Sequence, residues 1–171
     1  MNYKVRKQLT PDQRLNYPGI SDTVSHLLFH RGISNEKDAK KFISPDYDND
    51  NLDPSLLKDA DKAALRFIQA INDNEKIAIY SDYDADGIPG AAMFHDFLKR
   101  IDYSNFIVYI PHRHNEGFGL NKEAVDELAG GGVKLLITID CGITDFDAVK
   151  HANEKGMTVI ITDHHEPPGQ L

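Results

Sequence analysis

Five carboxylates and two imidazoles fall in three short clusters of this sequence. The clusters are Ser81-Asp82-Tyr83-Asp84-Ala85-Asp86-Gly87, Asp140-Cys141-Gly142 and Asp163-His164-His165. Carboxylates brought this close repel one another and raise each other's pKa unless a cation sits among them. Aspartates with a little histidine are the donor set for Mn²⁺, Mg²⁺ or a related ion. A carboxylate shared by two ions about 3.5–4 Å apart is the arrangement used for in-line attack on a phosphoester. Such a pair makes hydroxide from water and takes up charge on the phosphoryl and leaving oxygens. Taken singly, each cluster has a plainer reading. Asp82 to Asp86 would be a solvated acidic turn, Asp140 a helix cap, and Asp163-His164-His165 a cap with solvated imidazoles. A calcium loop is excluded, because its twelfth position should be Glu and is Met93.

Coincidence is argued against by the elements that carry the clusters. Short apolar strands are expected at 76–80, 106–110, 134–139 and 157–162. Helices are expected at 89–100, 121–129 and 144–155, the second closed by Gly130-Gly131-Gly132. Strands alternating with helices imply an α/β fold, a parallel sheet with helices on both faces. Ligands in such sheets bind beyond the carboxyl ends of strands. The first, third and fourth strands end directly in the three clusters, so one rim of one sheet receives all of them.

A small helical N-terminal segment precedes the sheet. Residues 1–19 read as an irregular arm. Helices are expected from Asp22 to Arg31 with Val24, Leu27 and Leu28 inward, and from Ser34 with Ala39, Phe42 and Ile43 inward. An acidic loop, Asp46 to Asn51, follows. A longer helix from Asp53 to Ile71 should bury Leu57, Ala60, Ala64, Leu65, Ile68 and Ile71. The domains are therefore drawn as 1–72, arm and helical lead-in, and 73–171, the sheet domain.

Composition fits this plan. The chain has 171 residues, 40% of them hydrophobic and 27% charged, as in an ordinary globular protein. No apolar run approaches the ~20 residues that span a bilayer, and no signal peptide is apparent, so no membrane is expected as a partner. A single cysteine, Cys141, allows no intrachain disulfide and suits a reducing compartment, the cytoplasm. Net charge is −8. Residues 1–75 carry 11 basic and 12 acidic groups, and residues 76–171 carry 8 and 15. That acidity opposes nucleic-acid binding unless the acidic groups converge on cations, which would draw phosphate instead.

The three clusters together resemble the DHH phosphoesterase superfamily, named for its Asp-His-His motif. A fourth stretch, Ile110-Pro111-His112-Arg113-His114-Asn115-Glu116-Gly117-Phe118-Gly119-Leu120, is similar to the RecJ-type single-strand-specific DNA exonucleases in particular. So are Arg31-Gly32-Ile33 and Phe42-Ile43-Ser44-Pro45. The resemblance implies a Rossmann-like DHH domain and a two-ion site for Mn²⁺ or Mg²⁺. It implies metal-dependent phosphodiester hydrolysis that releases nucleotides from the 5′ end of single-stranded DNA, in repair and recombination. Carried over, Asp82 and Asp84 would each ligate one metal, Asp140 would bridge them, and His164 would ligate one. His165 and Arg113 would contact substrate phosphate, Asp163 would orient a histidine, and Asp86 with Gly87 would shape the turn.

The sequence departs from that pattern at Tyr80-Ser81, where relatives often carry His-Gly, and at Pro89, where Ser or Thr is common. The resemblance also leads one to expect a further metal-binding Asp and a second, cleft-closing domain after the third cluster. The sequence ends at Leu171 without them. The expectation is an N-terminal fragment, partnered by a missing C-terminal domain, with one ion weakly held and weak or absent activity alone. Competing readings are a DHH hydrolase of short oligonucleotides or cyclic dinucleotides, and a non-catalytic replication scaffold. The Arg113 to Gly119 stretch counts against the first, and the retained Asp82, Asp84, Asp140 and His164 against the second. Cys141 lacks a neighbouring base and reads as a small residue in a tight turn. Phe118 is read either as a base-stacking ring or as packing under its loop.

Overall fold

The structure is a computed structural model that describes residues 4–169. Residues 1–3 of the arm and 170–171 of the sheet domain lie outside the described residues. The chain forms two compact units, Met1–Leu56 and Leu57–Leu171.

The first unit is built from four short helices: α1 (Pro11–Arg14), α2 (Asp22–Phe29), α3 (Glu36–Ile43) and α4 (Tyr47–Asp50). Each begins at a side chain that accepts a free backbone N–H: Thr10, Ser21, Asn35 and Asp46. Two of these caps make a helical turn where an irregular arm and an acidic loop were expected. Tyr17, Leu28 and Ala39 form the small core, and Tyr17 Oη donates to Ile33 O at 2.5 Å. Ser25, rather than Val24 or Leu27, is buried beside Leu28. Its hydroxyl donates to Ser21 O, so its burial leaves no polar group unpaired. Phe42 and Ile43, expected inward, are exposed.

A single helix from Asp53 to Ile71 does not form. A 3-10 turn at Pro54–Leu56 is followed by Asp59 in the left-handed region (φ 57°), and α5 runs only over Ala60–Asn72. Phe67, Ala70 and Ile71 pack on the sheet, while Leu57, Leu65 and Ile68 are exposed. Helix α5 thus joins the sheet unit rather than the lead-in in which it was expected.

The second unit holds a parallel sheet of four strands in the order β2-β1-β3-β4: β1 (Lys76–Ser81), β2 (Phe106–Tyr109), β3 (Val133–Ile139) and β4 (Thr158–Thr162). Helices cover both faces, as expected. Ile77, Ile79, Leu135 and Ile137 meet α5 and α6 (Gly87–Arg100). Ala78, Tyr80 and Leu136 meet α7 (Lys122–Gly130) and α8 (Phe146–Glu154). Burial on both faces explains the nearly unbroken apolar runs of β1 and β3. Each fully buried Ile or Leu contributes about 1.5–3 kcal/mol. Register brings Ser81 opposite Ile139 and Ile139 opposite Thr162. The carboxyl ends of β1, β3 and β4 therefore finish level with one another. Among the described residues, no helix is long and apolar enough to cross a membrane.

Candidate metal centre

The turn after β1 is made by Asp84. Its Oδ1 accepts from Asp86 N at 2.9 Å and Gly87 N at 3.0 Å, which holds its carboxyl below the usual carboxylate range. The Asp86 side chain caps nothing; its Oδ2 stands 3.8 Å from His164 Nε2. Gly87 is required by close approach: a Cβ there would lie 2.4 Å from Asp82 O and 2.9 Å from Ser81 Oγ. Asp82, half-buried, accepts through Oδ1 from Tyr83 N at 2.7 Å.

After β3 the chain turns sharply. Asp140 takes a left-handed backbone (φ 59°), an unusual conformation for a residue with a Cβ. Its amide donates to Thr162 O at 2.8 Å, and Thr138 Oγ1 donates to Cys141 O at 2.8 Å. The side chain is only 6% exposed. Burial, then repulsion from the Asp84 carboxylate, pushes its pKa up. Its Oδ1 is buried without a hydrogen-bond partner among the described residues. His164 Nε2 stands 3.1 Å from that oxygen and His165 Nδ1 3.8 Å, neither in hydrogen-bonding geometry.

After β4, Asp163 is half-buried with its side chain only 2% exposed, beside two exposed histidines. Burial opposes its ionisation. The amides of His165 and Ile143, both at 3.0 Å, and the His165 ring outweigh burial and hold its pKa low. In return Asp163, 2.7 Å from His165 Nδ1, raises the pKa of that imidazole.

Two groups of donors result, each with its donor atoms within 4.8 Å of one another. One is Asp82, Asp84 and Asp140; the other is Asp140, His164 and His165. Asp140 belongs to both. A buried carboxylate oxygen with no donor, ringed by carboxylates and imidazoles, fits a divalent cation of oxygen–nitrogen preference better than any protein partner present. His165 thus stands in a donor group as well as near the site. An open recess lined by Asp86, Asp140, Thr162, Asp163 and His164 leads to this point.

Arg113 is not hydrogen-bonded to these groups. Its guanidinium lies over the Tyr83 ring, 5.4 Å from the centroid, and Tyr83 separates Asp82 from Asp84. Phe118 is exposed, with its ring 5.4 Å from that of Tyr83, so it does not pack beneath its loop. Cys141 is buried, and burial pushes its thiol up to about 12, which leaves no nucleophile there. Sequence reasoning missed Tyr80, Tyr109 and Asp145 as supports of the Arg113 loop. Tyr80 and Tyr109 read as strand apolars, and Asp145 as part of the helix expected at 144–155. Asp145 makes no side-chain cap and instead accepts from Leu120 N at 2.6 Å. Only long-range pairing assigns these roles, and local sequence carries no signal of it.

The model of the DHH family, N-terminal domain, matches residues 76–171. The chain is 42% identical over 153 residues to the single-stranded-DNA-specific exonuclease RecJ of Bacillus subtilis, covering 89% of this chain and 19% of that protein. It is 33% identical over 141 residues to the RecJ of Haemophilus influenzae, covering 82% and 24%. Two solved structures are similar. Exonuclease RecJ bound to manganese has TM-score 0.63 and 35% identity over 70% of this chain and 31% of that one. RecJ from Thermus thermophilus in complex with Mn²⁺ has TM-score 0.61 and 26% identity over 95% and 22%. The chain spans about a fifth to a quarter of the length of these curated relatives.

Proposed function

The chain belongs to the DHH family, and from that premise we propose that its strand-end cluster is the metal-dependent centre of a single-stranded-DNA exonuclease of the RecJ type. The observation that carries this reading is Asp140, whose buried, unpartnered oxygen stands where the two donor groups meet. Asp82 and Asp84 would hold one ion each with Asp140 shared between them, and His164 would complete one set. Mn²⁺ or Mg²⁺ bound there supplies water activation near neutral pH and stabilises charge on the phosphoryl and leaving oxygens.

The protein's own groups do the rest. Asp163 holds the His165 ring through Nδ1 at 2.7 Å, which leaves the ring's other nitrogen to contact a phosphate oxygen. Arg113, without a carboxylate partner among the described residues, offers a planar fork to a second phosphate oxygen. Asp86 lines the same recess, with its Oδ2 3.8 Å from His164 Nε2. The substrate in this reading is single-stranded DNA, shortened from its 5′ end. The compartment is the cytoplasm, which suits a buried free thiol at Cys141.

The test is incubation of the chain with single strands labelled at either end, in Mn²⁺, in Mg²⁺ and in chelator, with a cyclic dinucleotide alongside. Metal-dependent loss of nucleotides from single strands, weak in this chain by itself, is expected. Hydrolysis of the cyclic dinucleotide with intact single strands would overturn the reading.

A further inference from the structure

The loop joining β2 to α7 is held at four points. Tyr80 Oη donates to Gly119 O at 2.8 Å, and Leu120 N donates to Asp145 Oδ2 at 2.6 Å. Tyr109 Oη donates to Glu116 Oε1 at 2.5 Å, and His112 N donates to Glu116 Oε2 at 2.6 Å. Behind these bonds the Tyr80 and Tyr109 rings, on paired positions of adjacent strands, stack at 5.3 Å and 9°. Both oxygens of Glu116 are thus engaged, one by a strand side chain and one by the amide immediately before Arg113. These contacts hold its carboxyl below its ordinary range.

Arg113 is otherwise lightly held. It is exposed and has no ion-pair partner among the described residues, and its guanidinium lies over the ring of Tyr83, the residue between Asp82 and Asp84. A cation resting on the face of one half-buried ring, with no ion pair beside it, is weakly fixed. The rigid path to that guanidinium therefore runs through the backbone at His112. The backbone there is closed into a turn by the amides of Asn115 and Glu116, which donate to His112 O at 3.0 and 2.9 Å, and the Glu116 carboxylate, engaged by the Tyr109 hydroxyl, ties that turn to β2.

We propose that Glu116 and Tyr109 form a bolt that positions Arg113 for a phosphate of the DNA strand. Both are positioning residues, since neither touches the metal centre. The bolt orders the loop before substrate arrives, so the ordering cost does not fall on binding. This inference rests on the nuclease reading above and adds to it the device that presents Arg113.

The experiment uses the full chain with Mn²⁺ and a dye-labelled oligothymidylate carrying phosphorothioate linkages, read by fluorescence anisotropy. Tyr109→Phe removes one hydroxyl and keeps the stacked ring; it should weaken binding about 3- to 10-fold, the effect of one lost hydrogen bond. Glu116→Gln retains an acceptor for His112 N and a group facing the Tyr109 hydroxyl, and should stay within about twofold of the parent chain. Arg113→Ala should weaken binding at least as much as Tyr109→Phe. The double variant should be no weaker than Arg113→Ala alone, because the effect passes through Arg113. Mn²⁺ affinity should not change in Tyr109→Phe. Glu116→Ala, in a half-exposed loop position, repeats the test if Tyr109→Phe melts early. Additive losses in the double variant, or parent-like binding by both Tyr109→Phe and Glu116→Ala, would overturn the bolt while leaving the nuclease reading intact. A parent chain that binds no oligonucleotide sinks both.

Discussion

Replacing Asp140 by Asn should make the metal-free protein more stable and abolish its stabilisation by Mn²⁺. Asparagine keeps the size of the side chain and tolerates the left-handed backbone that Asp140 adopts. What is removed is a buried charge whose donor atoms lie within 4.8 Å of those of Asp82 and Asp84. Two unit charges at that distance repel by about 1 kcal/mol in water and about 3.5 kcal/mol at an effective dielectric of 20. Asp84 is exposed, so the lower figure applies. Relief of about 1 kcal/mol raises the melting temperature of a chain this size by roughly 2–4 °C. With Mn²⁺ at 100 times its dissociation constant, the parent gains about 2.7 kcal/mol, or roughly 5–10 °C, and the variant gains nothing. The order of the two melting curves should therefore invert on adding metal.

The pH dependence follows from the raised pKa of Asp140. A carboxyl whose folded pKa lies above its unfolded value destabilises the fold increasingly as pH rises through that folded value. The advantage of Asp140→Asn without metal should vanish in acid, where both side chains are neutral, and grow from just above the ordinary carboxylate range. Differential scanning fluorimetry across pH, with chelator and with Mn²⁺, reads all of this. A variant that melts below the parent in chelator at neutral pH refutes the repulsion argument. One that retains the Mn²⁺ shift refutes the shared-ligand role.

Gly87→Ala should cost about 1–3 kcal/mol by overpacking against Asp82 O and should weaken Mn²⁺ binding, both visible in the same melts. Asp163→Asn should lower the pKa of His165 toward its ordinary value, because its largest raising influence is lost; a histidine NMR titration that does not move contradicts the pairing. Asp163 is itself held below its ordinary pKa, so the stability it lends persists above the usual carboxylate range and fades as pH falls through its lowered value. Cys141 should resist thiol reagents at pH 8 in the folded chain and react at once in denaturant, and rapid native labelling would show that the turn after β3 opens.

The sheet and the rim were legible because β1 and β3 announce themselves as short apolar runs with acidic residues directly after them. The placement of Asp82, Asp140 and His164 at one rim follows from parallel pairing alone. Three things were not legible. The break at Asp59 is a single left-handed residue, and α5 beyond it buries Phe67 and Ala70 rather than Leu65 and Ile68. The turn's hydrogen bonds fell to Asp84 rather than to Asp86, a choice between two aspartates that spacing does not make. The supports of the Arg113 loop come from Tyr80 on β1, Tyr109 on β2 and Asp145 before α8, all outside the loop they hold.

The order of the sheet has a consequence for how the centre comes apart. Asp82 and Asp84 leave from β1 and Asp140 from β3, each strand clasped on both sides. The two histidines follow β4, which among the described residues has β3 as its one neighbour and is only partly buried. Fraying starts at such margins, where local opening is least costly. An ion held between Asp140 and His164 would tether β4, an edge strand among the described residues, to the sheet's interior. Amide exchange along Thr158–Thr162 then becomes a gauge of occupancy: fast without metal, slow with it, while β1 scarcely responds.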